Sequence, residues 1–373
     1  MDNQIKFILI MKIDNFDRQS WSPVPVSQSD LEKFLANNPS IKIIDQLDSL
    51  LLELFELRNP KYRFGGDYKI EFKKFKKDFS KNNVNFSGWF YFPWTNYLIN
   101  YLPEKEHQEL RTGRNRNLIT ADEQDKYYQA CVGILGMSVG SHVALTIAMT
   151  GGAKFFRIAD LDIISGSNLN RIRSGFSCIG VSKVKVVARQ IFEINPYAKI
   201  EIFPVGINEK NMPEFVNGKN DKKRINILIE EMDNPYLKIQ IREFVKPLGI
   251  PVIMAADNGD GVVVDVERFD YDKNYPILHN IIPGINSGLF KSVKPQELPQ
   301  VIAKMAGAKY ASARMLESVK EVGKTLFSWP QLGTAATLCG SSLSNLARRI
   351  IVGEKIKSGR YLIDEKKMFK KVS

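Results

Sequence analysis

At 373 residues, with 44% apolar and 25% charged residues, the chain is long enough to bury a large core and has a globular rather than disordered composition. Its uninterrupted apolar runs are only a few residues long, so no membrane-spanning helix is expected, and three cysteines without a Cys-x-x-Cys pair give neither a disulfide framework nor a zinc site and suit a reducing cytoplasm. A formal charge of +12 points to anionic partners: nucleic acid, nucleotides or an acidic membrane surface.

The chain opens on IKFILIMKI, residues 5–13, which is too short and lacks the cleavage site of a signal peptide; it reads as a strand. Residues 1–108 mix short strand-like and helix-like stretches and are predicted to form a smaller α+β domain suited to substrate or partner recognition. Within it, KIEFKKFKKDFSKNN places Phe72, Phe75 and Phe79 at helical spacing, with Lys69, Lys73, Lys74, Lys76, Lys77 and Lys81 interleaved. That pattern predicts an amphipathic helix with a solvated basic face; contact with nucleic acid or membrane is the alternative. The aromatic stretch GWFYFPWTNYLINYLP is expected to pack against the following domain.

From residue 109 to 355 apolar strands alternate with amphipathic helices, which predicts an α/β domain: a Rossmann-like, mostly parallel sheet with helices on both faces. Residues 356–373 form a basic tail, read as a frayed end. In the α/β region Thr120 and Glu123 have capping-box spacing. CVGIL then reads as a strand, Gly136-Met-Ser-Val-Gly140 as a turn, and SHVALTIAMTGG as a helix closed by a left-handed Gly151. KFFRIAD returns as a second strand with Asp160 at its carboxyl end, 24 residues after Gly136. Strand, glycine turn, helix, strand and acid is the nucleotide-binding βαβ unit: turn and helix N-terminus accept phosphate, and the carboxylate accepts ribose hydroxyls.

The turn departs from a dinucleotide loop. Ser138 stands where a glycine is usual and the loop is a residue short, so phosphate sits farther from the backbone. Asp160 and Asp162 alternate along a strand end, so only Asp160 is expected to face the site. Asp233 follows the apolar run INILI; it reads either as a ligand at a strand's carboxyl end or as the cap of a helix near Pro235. His142 and Arg173 read as satisfied local residues.

RTGRNRN, the glycine turn, DLDIISGSNLNR, IGVSKV, EINP, EEMDN and PQLGTAATLCGSSLSNLARRIIVG follow one another from Arg111 to Gly353. In that order and spacing the chain resembles the ThiF/MoeB/HesA superfamily, adenylating enzymes related to the ubiquitin-activating enzyme. ELRTGRNRNLITADEQD and DVERFD look closest to the branch often joined to a nitroreductase-like flavin domain, which makes such a flavoprotein a candidate partner. The resemblance implies Mg-ATP-dependent activation of a carboxylate on a peptide, a carrier protein or a small molecule. It implies a nucleotide site of Gly136, Ser138, Gly140, Asp160, Asp162, Asn168, Arg171, Lys183, Asp233 and Asn234. In it Asp160 holds the ribose; Asn168, Arg171 and Lys183 neutralise the triphosphate; and Asp233 binds Mg²⁺. Arg114 or Arg116 would act as an arginine finger, reaching from the partner subunit of a homodimer.

No cysteine lies between Met232 and Leu338, where many relatives carry the one that takes the activated acyl group, so the thioester step is expected to be missing. Cys131 and Cys339 read as core residues, and Cys178, between Arg171 and Lys183, as the one thiol whose surroundings could activate it. Three alternatives stand beside acyl adenylation: activation of a modified tRNA base, a Rossmann oxidoreductase using NAD or a flavin, and a nucleotide-binding module without catalysis.

Overall fold

The computed structural model describes residues 20–84, 86–219, 222–292 and 298–364. The strand expected at residues 5–13 lies outside the described residues, as does the part of the 356–373 tail beyond Asp364; Gly359–Ile363 of that tail form a strand paired antiparallel with residues 262–266, which corrects its reading as a frayed end. The chain divides into two compact units, one of residues 1–122, 149–151 and 192–197, the other of residues 123–148, 152–191 and 198–373.

The first unit runs β1 (Val24–Val26), α1 (Leu31–Asn37), β2 (Lys42–Asp45), α2 (Leu47–Arg58), α3 (Lys69–Asn82), β3 (Trp89–Phe92), β4 (Tyr97–Asn100) and α4 (Glu104–Arg111). Its sheet has the order β1-β3-β4-β2, with β2 and β4 parallel and the other pairs antiparallel. Val26, Trp89 and Leu98 form one core cluster. Phe72, Phe75 and Phe79 of α3 pack on Leu51, Leu54 and Leu102, so the helix is amphipathic with its aromatic face inward. The aromatic stretch packs inside this unit: Phe90 meets Tyr101 and Tyr197 edge-on, the latter returned to the unit with residues 192–197.

In the second unit α5 (Ala121–Gln129) leads to β5 (Cys131–Leu135), α6 (Val139–Met149) and β6 (Phe155–Ala159). There follow α7 (Lys183–Ile194), β7 (Lys199–Phe203), α8 (Met212–Asn217), β8 (Ile227–Glu230), α9 (Pro235–Val245), β9 (Val252–Asn258) and β10 (Gly261–Glu267). Helices α10 (Leu289–Ser292), α11 (Leu298–Met305), α12 (Ala313–Glu321) and α13 (Gly333–Ile351) precede β11 (Gly359–Ile363). The strands form one seven-stranded sheet, β11-β10-β9-β8-β5-β6-β7. From β9 to β7 neighbours are parallel; β10 and β11 are added antiparallel.

Every residue of β5 and β8 is buried, which is why both read as unbroken apolar runs rather than alternating ones. From β5 the chain builds outward through β6 and β7, then returns to lay β8 on the other side. That reversal makes the crevice between the carboxyl ends of β5 and β8 the place where an open α/β sheet takes a ligand. α13 lies across β9 and β10 and crowds α6: a Cβ on Gly340 would stand 2.3 Å from the Cβ of His142. Among the described residues no helix is long and apolar enough to cross a membrane.

Two charge networks sit inside this unit. Arg242 of α9, fully buried, holds Glu267 at 2.6 Å through Nε and Glu230 at 2.6 Å through Nη1, and Lys238 reaches Glu230 at 2.8 Å. Burial works to raise the Glu230 carboxyl, but Lys238 and Arg242 prevail and hold it below the usual range. Asp265 is bound by Arg360 at 2.6 Å and by His279 Nε2 at 2.9 Å. His279 lies in a run of three left-handed residues, Leu278, His279 and Asn280, with φ of 46°, 58° and 58°. Such a run carries strain of about 1–2 kcal/mol per residue. It is pinned by the His279 contacts and by the Leu278 N–H, which donates to Glu267 Oε1 at 2.8 Å.

Candidate nucleotide-binding site

The carboxyl edge of the parallel strands gathers the charged residues of the second unit. β5 ends in a turn at Gly136, whose φ is +84° and whose missing Cβ would lie 2.3 Å from the Glu231 carbonyl oxygen. Only glycine serves there, because the conformation is left-handed and the neighbouring backbone leaves no room. The Gly136 N–H donates to the Ala159 carbonyl at 2.8 Å, joining the turn to the end of β6. Gly140 lies in the first turn of α6.

Asp160 follows β6 immediately. Its Oδ2 accepts the Met137 N–H at 2.6 Å and its Oδ1 accepts the Asp162 N–H at 2.8 Å. Burial pushes its carboxyl up, opposed by Lys183 and the two N–H donors. Lys183, the first residue of α7 and itself buried, places Nζ 2.8 Å from Asp162 and 4.0 Å from Asp160. The expectation that only one aspartate faces the site is therefore corrected: both reach the same ammonium. Alternation along an extended chain puts residues two apart on one face, so it gives no ground for separating Asp160 from Asp162.

Arg171 lies over the turn. Its Nε donates to Ser138 Oγ at 3.2 Å and its Nη1 to Ser167 O at 3.2 Å and Asn170 Oδ1 at 3.0 Å. Ser138, the departure from the glycine pattern, thus supplies the hydroxyl that seats a guanidinium. Asn168 is buried and its Oδ1 accepts the Ser165 N–H at 3.1 Å, holding the loop in shape. His142 Nε2 donates to the Arg171 carbonyl, and burial holds the imidazole below its ordinary pKa.

Beyond β8, Asn234 rather than Asp233 caps α9, its Oδ1 accepting the Leu237 N–H at 3.0 Å. This corrects the reading of Asp233 as the cap of that helix. Asn234 is occupied by the helix, and Asp233 stays exposed with its carboxylate clear of capping. Among the described residues no group of three or more His, Cys, Asp or Glu side chains could hold a metal ion alone. Mg²⁺ keeps several waters and needs only one or two carboxylates beside phosphate oxygens, and Asp233 fits that requirement.

Two acids at this edge were not assigned from the sequence. Asp257, at the end of β9, feels both Arg171 and Asp233; burial raises its carboxyl, and its Oδ2 is enclosed without a hydrogen-bond partner. Glu231 accepts the Ala255 N–H at 2.7 Å and burial raises it well above the usual range. The signal for Asp257 was available: it closes the apolar run VIMAA, as Asp160 closes FFRIA. Cys131 and Cys339 are buried, and burial drives the Cys339 thiol up, while Cys178 is half-buried.

Arg114 and Arg116 belong to the first unit. Arg116 is bound to Glu109 at 3.0 Å and to the Leu57 carbonyl at 3.3 Å. Arg114 is exposed and makes no hydrogen bond or ion pair among the described residues.

A family model described as the ThiF family matches residues 112–372. The chain belongs to the ThiF family. An uncharacterized protein of Mycobacterium tuberculosis is 33% identical over 276 residues, which are 74% of this chain and 38% of that protein. A probable molybdopterin-synthase adenylyltransferase of Porphyra purpurea is 34% identical over 105 residues, 28% of this chain and 25% of that protein. The chain thus spans well under two thirds of the length of either relative. Among solved structures PaaA superposes with a TM-score of 0.50 at 18% identity, covering 71% of this chain and 82% of that one, a likeness of fold.

Proposed function

We propose that this ThiF-family chain is an ATP-dependent adenylyltransferase that activates a carboxylate as an acyl-adenylate. The observation that carries the reading is the convergence of Lys183 and Arg171 on the Gly136 turn, beside Asp160. The chemistry asks for positive charge and position more than for proton transfer. A carboxylate is already ionised at neutral pH; one of its oxygens attacks the α-phosphorus, and the bond to the departing pyrophosphate breaks. The difficulty is bringing one anion to another and spreading charge over the phosphates.

In this reading the turn and α6 N-terminus take the phosphates, Arg171 and Lys183 neutralise them, and Asp160 accepts a ribose hydroxyl on lone pairs its two N–H donors leave free. Asp233 would hold Mg²⁺, which when bound draws charge from the phosphate oxygens. Arg114, which is exposed and makes no hydrogen bond or ion pair among the described residues, is the better candidate finger than Arg116, supplied across a homodimer. The substrate is a peptide, a carrier protein or a small molecule, activated without a thioester. Similarity to the Porphyra purpurea relative, a probable molybdopterin-synthase adenylyltransferase, supports adenylyl transfer. Cys131, Cys178 and Cys339 form no disulfide among the described residues, which supports a reducing compartment such as the cytoplasm.

ATP–pyrophosphate exchange stimulated by a candidate carboxylate tests the reading. Exchange that Arg171→Ala abolishes is expected. Hydride transfer to NAD, or nucleotide binding that survives Arg171→Ala without turnover, would replace it with an oxidoreductase or a non-catalytic module.

A further inference from the structure

The first unit carries a surface that nucleotide chemistry does not use. Helix α3 holds six lysines against two acids, Glu71 and Asp78. Its inward face is taken by Phe72, Phe75 and Phe79. On the opposite face Ile70, Lys73, Lys74, Lys77 and Lys81 recur at the i, i+3, i+4, i+7, i+11 spacing of a single stripe, and all five are exposed. At 1.5 Å per residue the stripe is about 16 Å long. The other lysine pairs near it are separate: Lys76 binds Asp48 at 2.6 Å and Lys61 lies 3.6 Å from Glu71. No acid interrupts the stripe, since Glu71 and Asp78 fall to one side of it.

Two large apolar side chains, one in the stripe and one in the turn before the helix, are exposed to solvent. Ile70 is 86% exposed within the stripe, and Phe64, at the end of the short turn before α3, is 98% exposed. Neither contributes to the core, because the aromatic face of α3 already fills that role. On a nucleic acid the aliphatic Ile70 would meet phosphates and gain nothing. On an acidic bilayer each part has a place. Ile70 and Phe64 enter the boundary between headgroups and acyl chains, while the lysine stems lie along the surface with their ammonium groups at lipid phosphates and carboxylates.

We infer that α3 docks this protein peripherally on anionic membrane surfaces, with Lys73, Lys74, Lys77 and Lys81 meeting the headgroups and Ile70 and Phe64 inserted between them. The test is flotation of the full chain with phosphatidylcholine vesicles, with and without phosphatidylserine. Binding is expected only to the anionic vesicles and should fall with salt. A variant carrying Lys73→Glu, Lys74→Glu, Lys77→Glu and Lys81→Glu is expected to lose about a hundredfold or more in partitioning, each lysine near an anionic surface being worth about fivefold. Ile70→Ser, with every charge kept, is expected to lose severalfold. Both leave the packed face of α3 untouched, and an unchanged thermal midpoint would confirm the fold. Failure of the wild type to float with anionic vesicles, or equal flotation of the lysine variant, overturns the inference. So does stripe-dependent binding of tRNA without vesicle binding, which would make the partner a nucleic acid.

Discussion

The Lys183 ammonium stands 2.8 Å from the Asp162 carboxylate, an ion pair that ties the first residue of α7 to the loop after β6. Asp162 is largely exposed, but Lys183 is buried and Asp160 lies behind the pair at 4.0 Å. Lys183→Met therefore removes the positive charge from both aspartates and from any phosphate above them. Calorimetric titration with ATP is expected to show affinity reduced about tenfold to a hundredfold, the scale of a lost charge-assisted contact. Asp162→Asn leaves Asp160 to hold the ammonium and is expected to lose only severalfold. Unchanged affinity in the Lys183 variant would remove it from the phosphate site.

Gly136 and Gly166 provide a matched pair of backbone tests. Gly136→Ala puts a side chain on a φ of +84° and against the Glu231 carbonyl, so urea unfolding is expected to show a loss of at least about 2 kcal/mol. At Gly166 no atom lies within 4 Å of an added Cβ, and Gly166→Ala is expected to stay within about 0.5 kcal/mol of wild type.

His107 gives the first unit a pH dependence. Burial, then Arg111, lowers its pKa to about 4, while its ring Nε2 bonds the Ile194 carbonyl at 3.0 Å. Because the folded value lies below the unfolded one, the unfolded chain binds the extra proton. The neutral ring's contribution is intact above the unfolded value of 6.5 and is lost as pH falls toward about 4. The loss is about 2–3 kcal/mol. Denaturation series across that window should show the slope in wild type, and His107→Gln should flatten it.

Asp257 is expected to trade stability for activity. Its folded pKa is raised by burial, so the contribution of the protonated acid is present below the unfolded value and lost as pH rises. Asp257→Asn should therefore melt higher than wild type at neutral pH, with the difference shrinking in acid. The same substitution removes the carboxylate that faces Arg171, and carboxylate-stimulated pyrophosphate exchange is expected to fall about tenfold. A variant with full exchange would place Asp257 outside the working site.

The parts of the fold written in local pattern were legible. The unbroken apolar runs of β5 and β8, the Gly136 turn, the left-handed Gly151 and the Phe72–Phe75–Phe79 face of α3 all follow from spacing within one element. Asp160 and Asp233 stand out in the sequence because each follows an apolar strand. What escaped needed a third dimension. Nothing in YLKIQIREFV marks Arg242 for full burial, since its partners Glu230 and Glu267 come from strands on either side of it in the chain. Asp257 comes within electrostatic range of Arg171 through the packing of the sheet, which local pattern does not show. The convergence of Asp160 and Asp162 escaped for a simpler reason: residues two apart share a face, so the period-two rule places the pair together and was applied the wrong way round.

The carboxylates of β10 bear on how the sheet assembles. Asp265 and Glu267 share one face of the strand, alternating with Val262, Val264 and Val266, and Asp265 lies opposite Arg360 in the β10–β11 register. A slip of one residue would turn both acids toward the side now occupied by valines, leaving Arg360 and His279 without their carboxylate and Arg242 with Glu230 alone. Three valines in a row would otherwise slide past their neighbours with little to distinguish one alignment from the next. The two acids act as teeth on the sheet's last strands, so that only one alignment engages.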